Sequence, residues 1–152
     1  MRKAILLVAM VFVLALAGIA VFGPARTNPP SNPADNIDVV AHATPAVTAI
    51  LDRSCRDCHS NETRWPWYSR VPPLSLGVIN HVNDGRRHMN FSRWGSYDPE
   101  DAREFLVDMC ALATKRDMPL GSYTWIHRDA PLSDQDIAVL CAWTETERRR
   151  EY

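Results

Sequence analysis

The chain has 152 residues, 46% of them hydrophobic and 23% charged, with a formal net charge of −1 at pH 7. That length suits one domain with appendages rather than two domains. Arg2, Lys3 and Arg26 precede the first acidic residue, Asp35, leaving 14 basic residues against 18 acidic ones in the remainder, a balance that argues against a nucleic-acid partner.

Met1-Arg2-Lys3 supplies positive charge, and Ala4 to Phe22 then runs for 19 residues without a polar side chain. As a helix this stretch measures about 28 Å, close to the hydrocarbon thickness of a bilayer. Gly18-Ile19-Ala20 offers a small-x-small cleavage site, but the run is longer than the ~7–15 apolar residues of a signal peptide. Residues 1–22 are therefore read as an uncleaved transmembrane anchor. Arg2 and Lys3 keep its N-terminus cytoplasmic and send the rest across the membrane. From Gly23 to about Asp38, four prolines stand among small and polar residues, which makes a helix or strand implausible. Residues 23–43 are read as a solvated, partly extended tether from which the domain, 44–148, stands off the membrane and reorients.

Thr44-Pro45 has the cap and first-turn proline of a helix start. Val47, Ile50, Leu51 and Cys55 then recur at helical spacing, giving an apolar face that runs into Cys55-Arg56-Asp57-Cys58-His59. Two thiols three apart followed by a histidine form the attachment signature of a c-type haem. Each thiol can add to one porphyrin vinyl group, and the histidine presents an imidazole to the iron from the same turn. Such attachment takes place outside the cytoplasm, in agreement with export. Zinc would need four converging donors, which adjacent Cys58 and His59 supply poorly. A thioredoxin-like pair would want a strand before Cys55 rather than a helix.

Asn61 to Pro73 is a proline-broken loop in which Trp65, Trp67 and Tyr68 are expected to cover a porphyrin face or edge. Leu74 to Asp84 reads as a helix with Leu76, Ile79 and Val82 inside and Gly85 as its stop. The segment from Arg86 to Gly95 reads as irregular, with Arg86 a candidate haem-pocket cation for propionates. Asp98-Pro99-Glu100-Asp101 opens a helix continuing through Phe105, Leu106, Met109 and Cys110 to about Arg116. Ser133 to Asp136 is a capping box for a last helix with Ile137, Leu140, Cys141, Trp143 and Thr144 on its inner face. Its charged tail, Glu147 to Glu151, reads as a solvated end. No alternating strand pattern occurs, so the domain is expected to be all-α. Cys110 and Cys141 lie on facing inner surfaces, and in an oxidising compartment a disulfide between them is the favoured reading over two buried thiols.

With His59 as proximal iron ligand, the opposite position could be filled by Met118, His81, His88, His127 or nothing. Met118 follows a helix end and directly precedes Pro119, and a thioether opposite histidine raises the potential of an electron carrier. Met109 sits among core residues, where a methionine fills gaps. His81 is the rival ligand, its plainer reading being a core histidine bonded to a carbonyl or a propionate.

Several strings together resemble a known family. Cys-x-x-Cys-His followed by Ser60-Asn61-Glu62-Thr63-x-Trp65-Pro66-Trp67-Tyr68 is similar to the small bacterial haem-binding domains of cytochrome c type. So are His81-Val82 through Gly85-Arg86 to Asn90-Phe91-Ser92-x-Trp94, Met118-Pro119 with Tyr123, and Leu132-Ser133 with Trp143. The resemblance spans roughly Ala46 to Trp143. It implies a cytochrome c-like bundle of about four helices around one covalently bound haem c, and the Met118-Pro119 placement resembles mono-haem cytochromes c. The expected role is electron transfer between redox partner proteins, from a bacterial inner membrane with the haem domain in the periplasm. A peroxidase-like haem enzyme or a haem-based sensor, each with an open distal position, is the alternative.

Overall fold

The computed structural model describes residues 1–150, and among them every regular element is a helix or a helical turn. The all-α expectation therefore holds. Helix α1 (Arg2–Phe22) contains no buried residue, and it is long and apolar enough to cross a membrane by length and composition.

The linker departs from the freely solvated tether. It has no regular structure before Pro33, but it lies along the domain rather than clear of it. The Arg26 guanidinium donates to the Ser69 carbonyl at 3.0 Å, and the Asn28 amide donates to the Thr63 carbonyl at 2.9 Å. A 3-10 turn at Pro33–Asp35 and helix α2 (Ile37–Val40) follow, started by the Asn32 and Asn36 side chains as caps. Ile37 and Ala41 are completely buried, so the packed core begins at Ile37 and not at residue 44. The four prolines concealed this, because the polar residues among them bond to the domain rather than to water.

Helix α3 (Pro45–Ser54) starts as its sequence dictates: the Thr44 hydroxyl accepts from the Val47 N–H, and Val47, Ile50 and Leu51 are buried. After α4 (Arg56–His59) and a 3-10 turn at Trp67–Arg70, helix α5 spans Leu74–His88. Gly85 does not stop it. A β-carbon at Gly85 would lie 2.6 Å from the Cys58 carbonyl oxygen, so the glycine is there to let α5 cross α4 at backbone contact. Alanine in a helix interior ordinarily stabilises by about 1 kcal/mol over glycine. Here Gly85→Ala is expected to destabilise by about 1–3 kcal/mol through overpacking, measured by urea denaturation of the haem-loaded protein.

The segment from Arg86 to Gly95 is more regular than its sequence suggests. It is helical to His88, then forms a 3-10 turn at Phe91–Ser96 that places Phe91 and Trp94 at the centre of the core. Trp94 packs edge-on to Tyr97, and Tyr97 likewise to Phe105. Helix α6 (Pro99–Thr114) ends where Arg116 takes a left-handed φ of 62°. A short α7 (Gly121–Ile126) and α8 (Asp134–Arg148) complete the chain. Ser133 and Asp136 form the expected capping box. Helices α6 and α8 pack together, with Cys110 and Cys141 joined across them at a Cα separation of 4.9 Å. The C-terminal tail is less solvated than its charge implies, because Glu147 is buried and pairs with His42 and Arg150. Glu151 lies outside the described residues.

Candidate functional site

At Cys55 the backbone (φ −128°, ψ −42°) breaks the helical run, and α4 forms a single turn. The Cys58 and His59 N–H groups both donate to the Cys55 carbonyl, at 3.1 and 3.0 Å. Both thiols and the imidazole thereby line one cleft of about 570 Å³, inside the ~300–1,000 Å³ range of small-molecule and cofactor sites. Its walls are α4, α5, the Pro66–Tyr68 stretch, the Met118–Leu120 loop and α7. A smaller apolar pocket of about 60 Å³ adjoins it, lined by Phe91, Met109, Leu112 and Leu140 among others. Cys55, His59, His88 and Met118 line both spaces, so Met118 and His59 stand at the junction of the two.

The chemistry of these groups follows from their surroundings. Burial pushes the Cys55 thiol up to about 12, with repulsion from Cys58 adding to it. Burial, with Asp57 alongside, pushes Cys58 up to about 11. Both are therefore neutral thiols at pH 7. His59 Nδ1 lies 3.1 Å from the Met89 carbonyl oxygen. A carbonyl can only accept, so Nδ1 carries the proton and Nε2 keeps the lone pair that a metal ligand needs. Burial lowers the His59 pKa and keeps the ring neutral, and the ring stacks against Phe91 at 5.8 Å.

The two middle residues of the motif fix it from opposite sides. Arg56 is buried and donates to Asp38 and to Asp52, at 2.5 Å in each case. Burial opposes its charge, and Asp38 and then Asp52 more than offset that, holding the guanidinium above its usual value. Asp57 is also buried. It accepts from the Arg64 backbone N–H at 3.0 Å, the Arg64 Nε at 3.1 Å and the Tyr123 hydroxyl at 2.8 Å. Burial and this carboxylate raise the Tyr123 pKa well above the usual phenol range. The Tyr123 ring stacks on His127 at 4.1 Å, and His127 Nε2 lies 2.7 Å from the Tyr68 hydroxyl.

Of the aromatic and basic candidates for the cofactor pocket, only Tyr68 lines the cleft. Trp67 is 76% exposed. Trp65 donates from Nε1 to the Asn28 side chain at 3.0 Å and carries the Arg86 guanidinium over its ring. Arg86 itself donates to Ser60, Thr63, Thr27 and Asn28. Trp65 and Arg86 hold the linker to the loop after the motif; they do not wall the cleft. Among the rival ligands, His81 lines the cleft on an exposed part of α5 and is no core histidine. His88 is exposed beside Asp108. His127 is engaged by Tyr68 and Tyr123.

Met118 is held by the turn that ends α6. Both Asp117 and Met118 direct their N–H groups back to the Leu112 carbonyl, at 3.0 and 3.3 Å. Arg116 secures the turn by donating to the Leu132 carbonyl at 2.5 Å and to the Asp134 carboxylate. Asp57, Tyr123 and Gly77 escaped sequence reasoning as parts of the site. Gly77 faces the cleft from the interior of α5, and beyond its own stretch of helix no protein atom lies within 4 Å of where its β-carbon would stand. A helix-interior glycine costs about 0.5–1 kcal/mol, and nothing in the protein requires this one, whereas a flat group lying against the helix would. The neutral thiols, the pre-set imidazole tautomer, the thioether and this bare stretch of helix fit a haem.

A family model described as a haem-binding domain matches residues 14–146. No curated protein and no solved structure matches the chain.

Proposed function

Because the chain belongs to this haem-binding domain family, we propose that it is a membrane-anchored mono-haem c-type cytochrome that transfers electrons outside the cytoplasm. The observation that carries the reading is the convergence of Cys55, Cys58, His59 and Met118 on one cleft, with His59 Nδ1 tied to the Met89 carbonyl. In this reading Cys55 and Cys58 would hold the haem covalently through thioether bonds, and His59 and Met118 would be the residues that bind its iron. The bound haem supplies a one-electron iron couple.

The chain's own groups set the conditions for that couple. The Met89 carbonyl fixes the His59 ring and makes Nε2 a better donor. Phe91, Leu112 and Leu140 line the apolar pocket behind Met118. The Cys110–Cys141 bridge suits a domain exported to an oxidising compartment, and α1 suits a membrane anchor. Redox proteins of that compartment are the proposed partners.

Absorption spectra of the purified protein, oxidised, reduced and under carbon monoxide, test the reading. The oxidised protein is expected to show the weak near-infrared sulfur-to-iron band, and Met118→Ala to abolish it. Slow or absent carbon monoxide binding is expected for the native protein and rapid binding for the variant. One observation favours a second reading, a haem enzyme or gas sensor: His81 lines the same cleft on an exposed part of α5. Rapid carbon monoxide binding by the native protein, with a spectrum indifferent to Met118→Ala, would select it.

A further inference from the structure

We infer that the rim of the cleft formed by the Trp67–Arg70 turn and the end of α7 rests on the lipid bilayer, held there by the docked linker. The inference rests on α1 being an uncleaved membrane anchor. Phe22 ends the apolar helix, and by Arg26 the chain is already bonded to the domain, at the Ser69 carbonyl. Four residues span at most about 14 Å when fully extended, and only the length of the Arg26 side chain adds to that, so the separation of Ser69 from the end of the apolar helix is bounded by this short stretch. The next residues are fixed as well. Arg86 donates to the Thr27 carbonyl at 2.8 Å and to the Asn28 side chain at 3.0 Å, and Asn28 donates to Thr63. A linker bonded in this way cannot serve as a swinging tether.

The surface brought to the membrane has the composition of an interfacial one. Ser69 belongs to the turn that exposes Trp67 (76%), and Val71 follows it (41%); on the other side of the cleft, α7 exposes Trp125 (70%). The Tyr68–His127 contact joins the two sides of the mouth at 2.7 Å. Exposed indoles are costly in water and favourable at the level of lipid headgroups, where an apolar ring and a polar N–H are both accommodated. Arg26, Arg70 and Arg128 are exposed on the same segments, and their charge suits anionic headgroups. The apolar patch, the surrounding cations and the short tether point to one occupant, the bilayer surface. The cleft, whose lining includes Ile126, then opens toward that surface.

The test uses the full-length, haem-loaded protein in vesicles of zwitterionic and anionic phospholipid. The thioethers and the disulfide occupy the native cysteines, so a nitroxide can be placed singly on Trp67→Cys or Trp125→Cys. Phe12→Cys serves as the hydrocarbon reference and Ala138→Cys as the aqueous one. Oxygen accessibility relative to that of a water-soluble relaxing agent is expected to be several-fold higher at 67 and 125 than at 138. Adding Arg26→Ala and Asn28→Ala is expected to return positions 67 and 125 to the value at 138 while leaving position 12 unchanged. Aqueous values at 67 and 125 with a hydrocarbon value at 12 overturn the inference and leave the anchor standing. An aqueous value at 12 removes the anchor and this inference with it. Lipid contact that survives loss of Arg26 and Asn28 overturns the role given to the linker.

Discussion

A chain carrying Cys55→Ala and Cys58→Ala is expected to retain no haem after denaturation in detergent, whereas the native chain is expected to keep its haem on the denatured polypeptide. Both thiols line the cleft from a single turn, three residues apart, and burial holds each as a neutral thiol. Replacing them leaves the other components of the site in place. His59 keeps its bond to Met89, Met118 keeps its turn, and α5 keeps its bare face at Gly77. The double variant is therefore expected to take up haem reversibly and to yield it to acidified organic solvent. Each single variant keeps one thioether and is expected to remain stained on a denaturing gel. Haem released from the native chain by acidified solvent would overturn covalent attachment, and the family's haem binding would then have to be non-covalent.

What the sequence made legible was what depends on near neighbours. The Thr44 cap, the capping box of Ser133 and Asp136, and the three- and four-residue spacing of Val47, Ile50 and Leu51 are all settled within one or two turns. So is the haem motif, whose donors come from five consecutive residues. What escaped depends on partners far along the chain. Asp57 meets Tyr123 across 66 positions, and His42 meets Glu147 across 105. Gly85 looked like a helix stop because its use lies in the backbone of Cys58, on another helix. Trp65 and Trp67 looked like cofactor contacts on composition, because three large rings in four positions need cover. Their cover differs: Tyr68 turns into the cleft, Trp65 pairs with Arg86 and Asn28, and Trp67 is left exposed on the domain surface. Helix α7 has six residues, too few for any apolar period to be read, and its position comes from Tyr123 reaching Asp57.

Linker and motif are also connected more closely than their spacing suggests. Arg56 reaches back to Asp38, just after the linker's polar turns, and Arg86 grips Thr27 and Asn28 while donating to Ser60 immediately after the motif. The elements that line the cleft and the linker that follows α1 are thus fixed to one another by charged hydrogen bonds, the stronger kind.

The remaining large effect is expected at Asp57, where structure and potential can be separated. Asp57→Ala removes the acceptor for the Tyr123 hydroxyl and for the Arg64 backbone N–H. The Arg64 side chain is 68% exposed, so its ion pair contributes little, about 0–1 kcal/mol. The two hydrogen-bond donors left without a partner are expected to dominate, for a total loss of about 2–4 kcal/mol, read from denaturant unfolding of the haem-loaded protein. Asp57→Asn keeps the shape and an acceptor oxygen for Tyr123 while removing the charge, so most of that stability is expected to return. The charge has a second consequence. A buried carboxylate beside Cys58, in the wall of the cleft, would favour the oxidised state of a haem iron held there, since haem potentials respond to local charge. Asp57→Asn is therefore expected to raise the midpoint potential in a potentiometric titration, with the axial-ligand spectrum unchanged. Coincident potentials for Asp57→Asn and the native protein would confine Asp57 to holding α4 against α7; a raised potential at near-native stability would make this residue, inside the attachment motif itself, a control on the electron the haem carries.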